Sequence, residues 1–494
     1  MPSEVQSQPV AVRGAETGLL ISALLPEQIE IIKRQLTLKT KPWSGSKEPP
    51  RTIHCYREDG GYLWVPRNYA RRRFESLNPV DQTVLGMSME FDLSGARLDP
   101  EREQDKSVPA TIAALQEDGD GIVLSPTGTG KTFIGLYVGA YFGVAIGWPV
   151  YASHMEDNVR DHIHLIGLTQ DDIGIVKGPR CDLGKPVTIM YVQSLLSSRV
   201  YPPELYTQMG IMICDEVNRH GAPKWKATLE QFPAAKRLGM TADLKRRDGL
   251  GPVIPWLFGR TTYRAERITP QDADPPKVIV FRWCKTYNPM SYCQWEKVGG
   301  EWQPGDPHPS KYDKVLAQDA GRNLMLMKEV KQALKTGRQI ICLSRFVDHL
   351  VECRNILLKL LDPMHPLERL ARCEAPPALP SVRMLRAGMK ESQRREVYAS
   401  RVIFATFKMA NDALNVPSLD TLYFLTPPGD PLQPAGRIRW KAEGYDRRPL
   451  LIGECYEQTP YSERRWKQRR KKERSLGMSI KQVDRYPKNY RSAV

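Results

Sequence analysis

The chain has 494 residues, and its 72 lysines and arginines against 56 aspartates and glutamates give a formal net charge of +16. This length predicts two or three domains. The positive charge favours a nucleic-acid partner first and an anionic membrane second, with a solvated basic surface as the further alternative. The nine cysteines are scattered without a Cys-x-x-Cys pair. This pattern indicates reduced core or surface thiols, which suits a cytoplasmic compartment and argues against a structural zinc site.

Residues 1–95 predict a small α+β accessory domain. The start, residues 1–12, is polar without a long apolar core, so it does not predict a signal peptide. Residues 24–32 have helical spacing, and 52–56 with 61–66 predict a hairpin around Asp59-Gly60. Arginines and aromatic residues follow closely, which suits either a nucleic-acid surface or half-buried strand aromatics beside a solvated edge: Arg67, Arg71, Arg72 and Arg73, with Tyr62, Trp64 and Tyr69.

Residues 125–132 read Ser-Pro-Thr-Gly-Thr-Gly-Lys-Thr and follow the short apolar run at 121–124. This pattern predicts a phosphate loop between a strand and a helix, although Ser125 stands where the first glycine is usual. Glycines let backbone N–H groups turn toward phosphates, Lys131 supplies a positive charge, and the Thr132 hydroxyl can ligate Mg²⁺. The predicted nucleotide-binding residues are Thr127, Gly128, Thr129, Gly130, Lys131 and Thr132.

The next eighteen residues, 133–150, carry no charge and have glycines at four-residue spacing, as a membrane helix can. They begin directly after Lys131, and Gly147-Trp148-Pro149 interrupts them. We therefore predict the phosphate-loop helix followed by a buried strand, and no membrane partner.

A pair of acids follows a second buried strand. Apolar runs alternate with helical segments from 150 to 191, which is typical of a parallel sheet with crossover helices. The run at 211–214 ends in Asp215 and Glu216, and the carboxyl end of such a strand lies at the ligand edge of the sheet. Asp215 is suited to hold Mg²⁺ through water and Glu216 to deprotonate the attacking water. Together with the loop, the pair predicts a hydrolytic ATP site in a domain spanning 96–265.

A second α/β unit without a phosphate loop is predicted at 311–460, after a linker and loop-rich insertion at 266–310. Its elements are a helix at 322–334 and strands at 339–343, 402–406 and 421–425. Residues 461–494 predict a basic tail, because eight of the eleven residues from 464 to 474 are basic. Such a run is either a solvated, mobile segment or a phosphate contact, and the basic remainder of the chain favours contact.

Taken in order, these segments resemble superfamily 2 helicases, and within them the phage UvsW-type branch-migration helicases, the poxviral transcript-release helicase and the XPB-type repair translocases. The resemblance covers roughly residues 96–445 and extends beyond the ATP site into the second unit. It rests on Gln104 and on the segments 125–132, 192–195, 215–218, 240–242, 343–345, 404–406, 414–417 and 433–439.

The resemblance implies an α/β fold of two tandem RecA-like parallel-sheet domains, with ATP in the cleft and nucleic acid across the top. If a phage encodes the chain, it also implies the host cytoplasm. The residues it implies for nucleotide binding or hydrolysis, beyond those named above, are Gln104, Asn415, Gln433 and Arg437. For nucleic acid it implies Ser153, Gln193, Ser194, Arg345 and Thr406, and for coupling Asn218, Thr241 and Ala242.

Three positions depart from the family pattern: Asn218 replaces histidine, Asp412-Ala413-Leu414-Asn415 replaces Glu-Gly-Leu-Asp, and Trp440 replaces the final arginine. Asn218 can still hydrogen-bond toward Thr241 but cannot carry charge. We predict an ATP-driven helicase or translocase on duplex or branched DNA, with DNA favoured over RNA. The alternatives are an RNA or transcript-release remodeller and a nucleic-acid clamp that hydrolyses ATP weakly.

Overall fold

A computed structural model describes residues 8–41, 49–126, 129–218, 222–244, 246, 248–265, 277–298, 300–362, 364, 378–389, 391–413, 416, 418–428, 450–474 and 478–486. The chain divides into two compact units, Met1–Ile268 and Thr269–Val494. Eight cysteines lie in the described residues, and all eight are free thiols.

The first unit begins with a small mixed sheet and two helices. The five-stranded sheet has the order β5-β6-β2-β1-β7, and β3 and β4 form a separate pair. The strands are β1 Ala11–Arg13, β2 Thr17–Leu20, β3 Thr37–Lys39, β4 Thr52–His54, β5 Arg57–Asp59, β6 Tyr62–Val65 and β7 Val80–Asp81, and the helices are α1 Pro26–Gln35 and α2 Arg67–Phe74.

The predicted hairpin is present with a different first strand. β5 pairs with β6 across a two-residue turn, while β4 pairs with β3 instead. Gly60 and Gly61 have φ angles of +59° and +81°. A two-residue turn with both φ angles positive joins strands that flank it directly, so the partner of β6 ends at Asp59.

An eight-stranded sheet forms the centre of the first unit, in the order β11-β10-β12-β9-β13-β14-β8-β15. All pairs are parallel except β10 with β11. The strands are β8 Asp120–Leu124, β9 Ile146–Val150, β10 Ile173–Lys177, β11 Arg180–Cys181, β12 Val187–Tyr191, β13 Ile211–Cys214, β14 Lys236–Thr241 and β15 Thr261–Arg264. The helices are α3 Gln104–Asp118, α4 Lys131–Tyr141, α5 Ser153–His162, α6 Val192–Leu195, α7 Glu204–Thr207, α8 Ala222–Leu229 and α9 Val253–Phe258.

The uncharged stretch at 133–150 is α4 followed by the buried strand β9, as predicted. Its glycines give α4 a close approach to the sheet: a Cβ on Gly135 would lie 2.8 Å from Met240 and Trp148 side-chain atoms, and one on Gly139 2.6 Å from Ile146. Within the described residues, no helix combines the length and the apolar character that a membrane crossing requires.

A buried ion pair fastens the N-terminal elements to the central sheet. Arg67, on α2, donates its Nε to Asp120 Oδ2 at 2.7 Å and its Nη1 to the Ala234 carbonyl at 2.8 Å. Asn68 Nδ2 donates to the same Asp120 oxygen at 2.8 Å. The Arg67 and Asp120 side chains are 1% and 0% exposed. Because Asp120 begins β8, this contact ties the N-terminal elements to the strand that leads into the predicted phosphate loop.

The second unit contains a seven-stranded, fully parallel sheet in the order β20-β21-β19-β22-β23-β16-β24 and a separate two-stranded ribbon, β17-β18. The strands are β16 Lys277–Trp283, β17 Cys293–Val298, β18 Glu301–Pro307, β19 Ile340–Ser344, β20 Val382–Met384, β21 Val402–Thr406, β22 Thr421–Phe424, β23 Leu451–Glu457 and β24 Ser479–Arg485. The helices are α10 Pro309–Ala317, α11 Ala320–Lys335, α12 Val347–Leu361, α13 Glu391–Tyr398, α14 Phe407–Ala413 and α15 Pro460–Arg474.

The structure differs from the sequence prediction at both flanks of this unit. The segment expected to be a loop-rich insertion supplies β16, which lies between β23 and β24 in the sheet. The expected basic tail supplies α15 and β24. The charge run is ordered because its inward side is buried: Trp466 is 6% exposed and its ring stacks on Tyr456, with centroids 4.7 Å apart.

Candidate functional site

The candidate nucleotide site lies at the carboxyl edge of three adjacent strands, β8, β14 and β13. The Ser125 N–H, just after β8, donates to the Thr241 carbonyl at 2.9 Å. The Val217 N–H, just after β13, donates to the Met240 carbonyl at 3.2 Å. The end of β14 therefore holds both the predicted phosphate loop and the segment with the two acids.

The described part of the loop leads into α4 through a residue that must be glycine. Gly130 has φ +80°, and a Cβ there would lie 2.6 Å from Gln104 Nε2. Ser125, the departure from the usual glycine, is 1% exposed and donates its hydroxyl to Thr129 Oγ1 at 2.5 Å. Since the first N–H groups of a helix have no intrahelical acceptor, the start of α4 presents free donors and a positive dipole end to an anion.

The Lys131 ammonium is buried at the carboxyl edge of these three strands. The residue is 9% exposed, and Nζ donates to the Ser125 and Pro126 carbonyls, at 3.3 Å each. It also lies 3.9 Å from Glu216 Oε1. The structure thus brings the predicted loop lysine and the predicted base together, although 85 positions separate them in the chain.

Asp215 and Glu216 are oriented by an unusual backbone turn. Glu216 has φ +52°, in the left-handed region that non-glycine residues rarely occupy, and its N–H donates to Asp215 Oδ1 at 2.7 Å. Such a conformation costs about 1–3 kcal/mol and is found mostly at functional sites. Within the described residues, no group of three or more histidine, cysteine, aspartate or glutamate side chains could hold a metal. Mg²⁺ at nucleotide sites is usually held by one or two carboxylates together with substrate phosphates and water.

Gln104 supports the loop from the side of α3. It is 3% exposed, its Nε2 donates to the Thr129 carbonyl at 2.8 Å, and its Oε1 accepts the Asp99 N–H at 3.0 Å. Both ends of the amide therefore have protein partners. The link to the phosphate loop was not visible in the sequence.

The residues assigned to coupling do not make the hydrogen bond from Asn218 toward Thr241 that the sequence suggested. Thr241 Oγ1 donates to the Asp243 carbonyl at 3.1 Å, and the buried Asn218 Oδ1 has no hydrogen-bond partner among the described residues. Ala242 is exposed. The Asn218 carbonyl instead accepts Arg246 Nη1 at 2.6 Å. Sequence reasoning missed Arg246, because no motif marks it.

The predicted nucleic-acid residues of the first unit lie along the same sheet edge. Ser153 begins α5 after β9, and Gln193 and Ser194 lie on α6, directly after the neighbouring strand β12. Gln193 Nε2 donates to the Tyr151 carbonyl at 2.9 Å, and Ser194 Oγ accepts the Gly178 N–H at 2.9 Å. Two adjacent strand ends thus present these side chains together.

Arg345 and Thr406 occupy the equivalent edge of the second unit, after the adjacent strands β19 and β21. Arg345 Nε lies 3.1 Å from Asp313 Oδ2, and Arg465 Nη1 donates to Asp313 Oδ1 at 3.4 Å. Burial raises the pKa of the Asp313 carboxyl, which is 0% exposed. Thr406 Oγ1 accepts the Met409 N–H at 3.3 Å. Asp313 is therefore a positioning residue for Arg345 that the sequence did not reveal.

Five predicted site residues lie outside the described residues: Thr127, Gly128, Asn415, Gln433 and Arg437.

The charge run on α15 separates into two faces. On the inner face, Arg469 Nε donates to Glu454 Oε2 at 3.1 Å, and Glu473 is 1% exposed. Burial and the neighbouring Glu454 carboxylate raise the pKa of Glu473 to about 8, opposed by Arg469 and Arg470. The exposed basic residues recur every three or four positions and so form one stripe along the helix: Arg464, Lys467, Lys471 and Arg474.

Comparisons with known proteins identify similar sequences in a restriction-enzyme family and in helicases. Residues 154–246 match the family model for the type III restriction enzyme res subunit. A provisionally named ATP-dependent RNA helicase of Acanthamoeba polyphaga mimivirus is 24% identical over 440 residues, which cover 86% of this chain and 78% of the relative. The DNA helicase XPB of Kineococcus radiotolerans is 28% identical over 265 residues, 51% of this chain but less than half, 45%, of the relative.

Among solved structures, a fragment of a provisionally assigned HsdR subunit of a type I restriction enzyme from Vibrio vulnificus aligns with a TM-score of 0.52 at 16% identity. The alignment covers 78% of this chain and 68% of the fragment. The predicted fold class, two RecA-like parallel-sheet domains, is confirmed. The predicted resemblance to superfamily 2 helicases is likewise confirmed by the named relatives.

Proposed function

We propose that this relative of the superfamily 2 helicases is an ATP-driven helicase or translocase that acts on duplex or branched DNA. The observation that carries the proposal is the pairing of Lys131 with Glu216, 3.9 Å apart, beside the start of α4. A candidate phosphate-binding cation and a candidate base for water converge at a place where a helix start, a glycine turn and three strand ends meet.

The residues present fit a nucleoside triphosphate. The free N–H donors at the start of α4 and the buried Lys131 ammonium provide positive charge where the phosphates would lie. Thr132 and Asp215 would hold Mg²⁺, whose bound charge neutralises the phosphate oxygens. Gln104 fixes the Thr129 carbonyl, just before the loop leads into α4.

Glu216 is assigned the role of general base. Its carboxylate is half-buried and lies next to Lys131, so it is oriented before any water is bound. Asp215 accepts the Glu216 N–H and thereby fixes the turn that presents both acids. The resemblance implies that Arg437 stabilises charge on the γ-phosphate. It also implies that Asn415 and Gln433 contact the same nucleotide.

Nucleic acid is assigned to the two carboxyl edges. On the first unit, the nucleic-acid strand would contact Ser153, Gln193 and Ser194. On the second unit, it would contact Arg345 and Thr406. The net charge of +16 and the stripe on α15 supply the phosphate attraction that such binding needs. DNA is favoured over RNA because two of the three helicase groups that the motifs resemble are branch-migration and repair enzymes, and only the third is a transcript-release enzyme.

Two other functions have specific support. An RNA or transcript-release remodeller is favoured by the mimiviral relative, which is named an RNA helicase and matches 86% of this chain. A clamp with a weakened motor is favoured by Asn218, whose buried Oδ1 has no partner among the described residues. Both functions use the same ATP site, so they differ from the proposal in substrate and in turnover.

The test measures ATP hydrolysis in parallel with no nucleic acid, single-stranded DNA, duplex DNA, forked DNA and RNA. The proposal predicts the largest stimulation by duplex or forked DNA and no stimulated turnover in Lys131→Ala. Greatest stimulation by RNA would favour the remodeller. Tight DNA binding without stimulated hydrolysis would favour the clamp.

A further inference from the structure

Two exposed tryptophans share one face of the β17–β18 ribbon. Trp302 is 65% exposed and Trp295 is 37% exposed, although tryptophan normally buries most of its large apolar surface. Lys297 pairs directly with Trp302, and Trp295 pairs with residue 304. Because directly paired residues and residues two apart point to the same side, Trp295, Lys297 and Trp302 form one surface, which we name the indole face.

The spacing on the indole face suits flat ligands. Trp295 and Trp302 are diagonal neighbours across the two strands, a relation that places Cα atoms about 7–8 Å apart. Stacked bases repeat at about 3.4 Å, so two indoles at this separation have room for one base between them. Lys297 is paired with Trp302 and lies two residues from Trp295 on the same strand, so it offers a cation to a phosphate beside the stacked base.

The base of the ribbon is fixed beside residues already assigned to nucleic acid. The Tyr292 ring packs edge-on against Tyr312 of α10, with centroids 5.0 Å apart, and the His308 N–H donates to the Tyr292 carbonyl at 2.8 Å. The next residue of α10 is Asp313, which holds Arg345 and Arg465. One helix thus anchors both the ribbon and the arginine proposed to contact the strand.

We infer that the indole face is a stacking platform for unpaired bases of a nucleic-acid strand. This inference rests on the proposed function, because it extends the strand path from Arg345 onto the ribbon. Stacking on indole tolerates every base, since each base has a flat π-face, and it contributes about 1–3 kcal/mol per base. A platform of this kind would hold the separated strand while the ATP site turns over.

The test compares binding of an oligothymidylate with binding of an abasic deoxyribose-phosphate strand of equal length, by fluorescence anisotropy at fixed salt. Trp295→Ala and Trp302→Ala should each weaken thymidylate binding by about 5- to 150-fold. Neither should change binding of the abasic strand, which has charge but no bases. Trp302→Phe should restore most of the lost affinity, and Gln303→Ala, on the opposite face, should bind as the wild type does.

The outcomes separate the inference from the proposed function. If the wild type binds thymidylate and both alanine variants bind it equally well, the indole face is not a base platform and a protein partner becomes the better explanation. If the variants lose thymidylate and abasic binding equally, the residues act through charge or folding and the inference is overturned. If the wild type binds neither strand and does not hydrolyse ATP with any nucleic acid, the proposed function fails as well.

Discussion

Replacing Glu216 with glutamine should separate ATP binding from ATP hydrolysis. The Glu216 carboxylate lies 3.9 Å from Lys131 Nζ, and the two side chains are 20% and 8% exposed. At about 4 Å, opposite unit charges attract by about 1 kcal/mol in water and about 4 kcal/mol at the effective dielectric of a protein surface. Glutamine removes that competition for Lys131 and the repulsion between carboxylate and phosphate. ATP affinity should therefore stay the same or rise.

Turnover should fall sharply in the same variant. A positioned general base contributes about 10²- to 10⁴-fold to the rate, and glutamine cannot accept the proton. Lys131→Ala should behave in the opposite way for binding: losing a charge-assisted contact worth about 1.5–3 kcal/mol weakens ATP about 10- to 150-fold. Binding is measured with a fluorescent ATP analogue, and hydrolysis by single-turnover assay with DNA present.

Glu27→Gln is the matched control, since Glu27 is an exposed carboxylate on α1. It should leave binding and turnover unchanged. The reasoning is refuted if Glu216→Gln hydrolyses ATP within about tenfold of the wild-type rate, well short of the loss expected of a base. It is also refuted if Glu216→Gln loses as much ATP affinity as Lys131→Ala, because Glu216 would then be needed for the shape of the loop.

Three further predictions concern the frame around the site. Asp120→Asn should lower the free energy of unfolding in urea by about 3–5 kcal/mol, since it leaves the buried Arg67 guanidinium without its counter-charge; a loss below about 1 kcal/mol would contradict the anchor. The pKa of Glu473 is raised from 4.5 to about 8, so the folded chain keeps a proton that the unfolded chain has lost, and stability should fall as pH rises through that window. Glu473→Gln should remove this dependence of stability on pH. If the thermal unfolding midpoints of the wild type and the variant changed in parallel from pH 5 to pH 9, the prediction would be wrong. Lys467→Gln with Lys471→Gln should reduce the slope of log affinity against log salt by about 0.7–0.9 per lost phosphate contact, whereas an unchanged slope would make the stripe a solvated surface.

The sequence predicts the candidate nucleotide site from two segments, the loop and the acid pair, each of which is contiguous in sequence. The loop and the acid pair each follow a short buried strand, and parallel strands bring such ends to one edge. The pairing of Lys131 with Glu216 could be expected from that rule. The contacts from Gln104 to Thr129 and from Arg246 to Asn218 could not, because they depend on which side chains meet after folding.

The second unit was harder to predict because several of its helices and strands lie in segments rich in charged residues, which are usually solvent-exposed. In α15, the inward Arg469 looks in sequence like its exposed neighbours, and only the fold supplies Glu454 as its partner. The strand β16 lies between residues rich in proline and charge, so its apolar positions, Val278 and Val280, were overlooked despite their complete burial. The position of β24 beside β16 joins segments about 200 residues apart, a relation that no local pattern carries.

The central claim is that ATP hydrolysis at Lys131 and Glu216 drives movement on DNA. Its most direct test is strand displacement from a forked DNA duplex, comparing the wild type with Glu216→Gln in the presence of ATP and of a non-hydrolysable analogue. We predict displacement by the wild type with ATP alone, and none by the variant although it binds ATP and the fork. The claim would be contradicted if Glu216→Gln separated the fork at the wild-type rate, or if the wild type separated it equally well with the non-hydrolysable analogue.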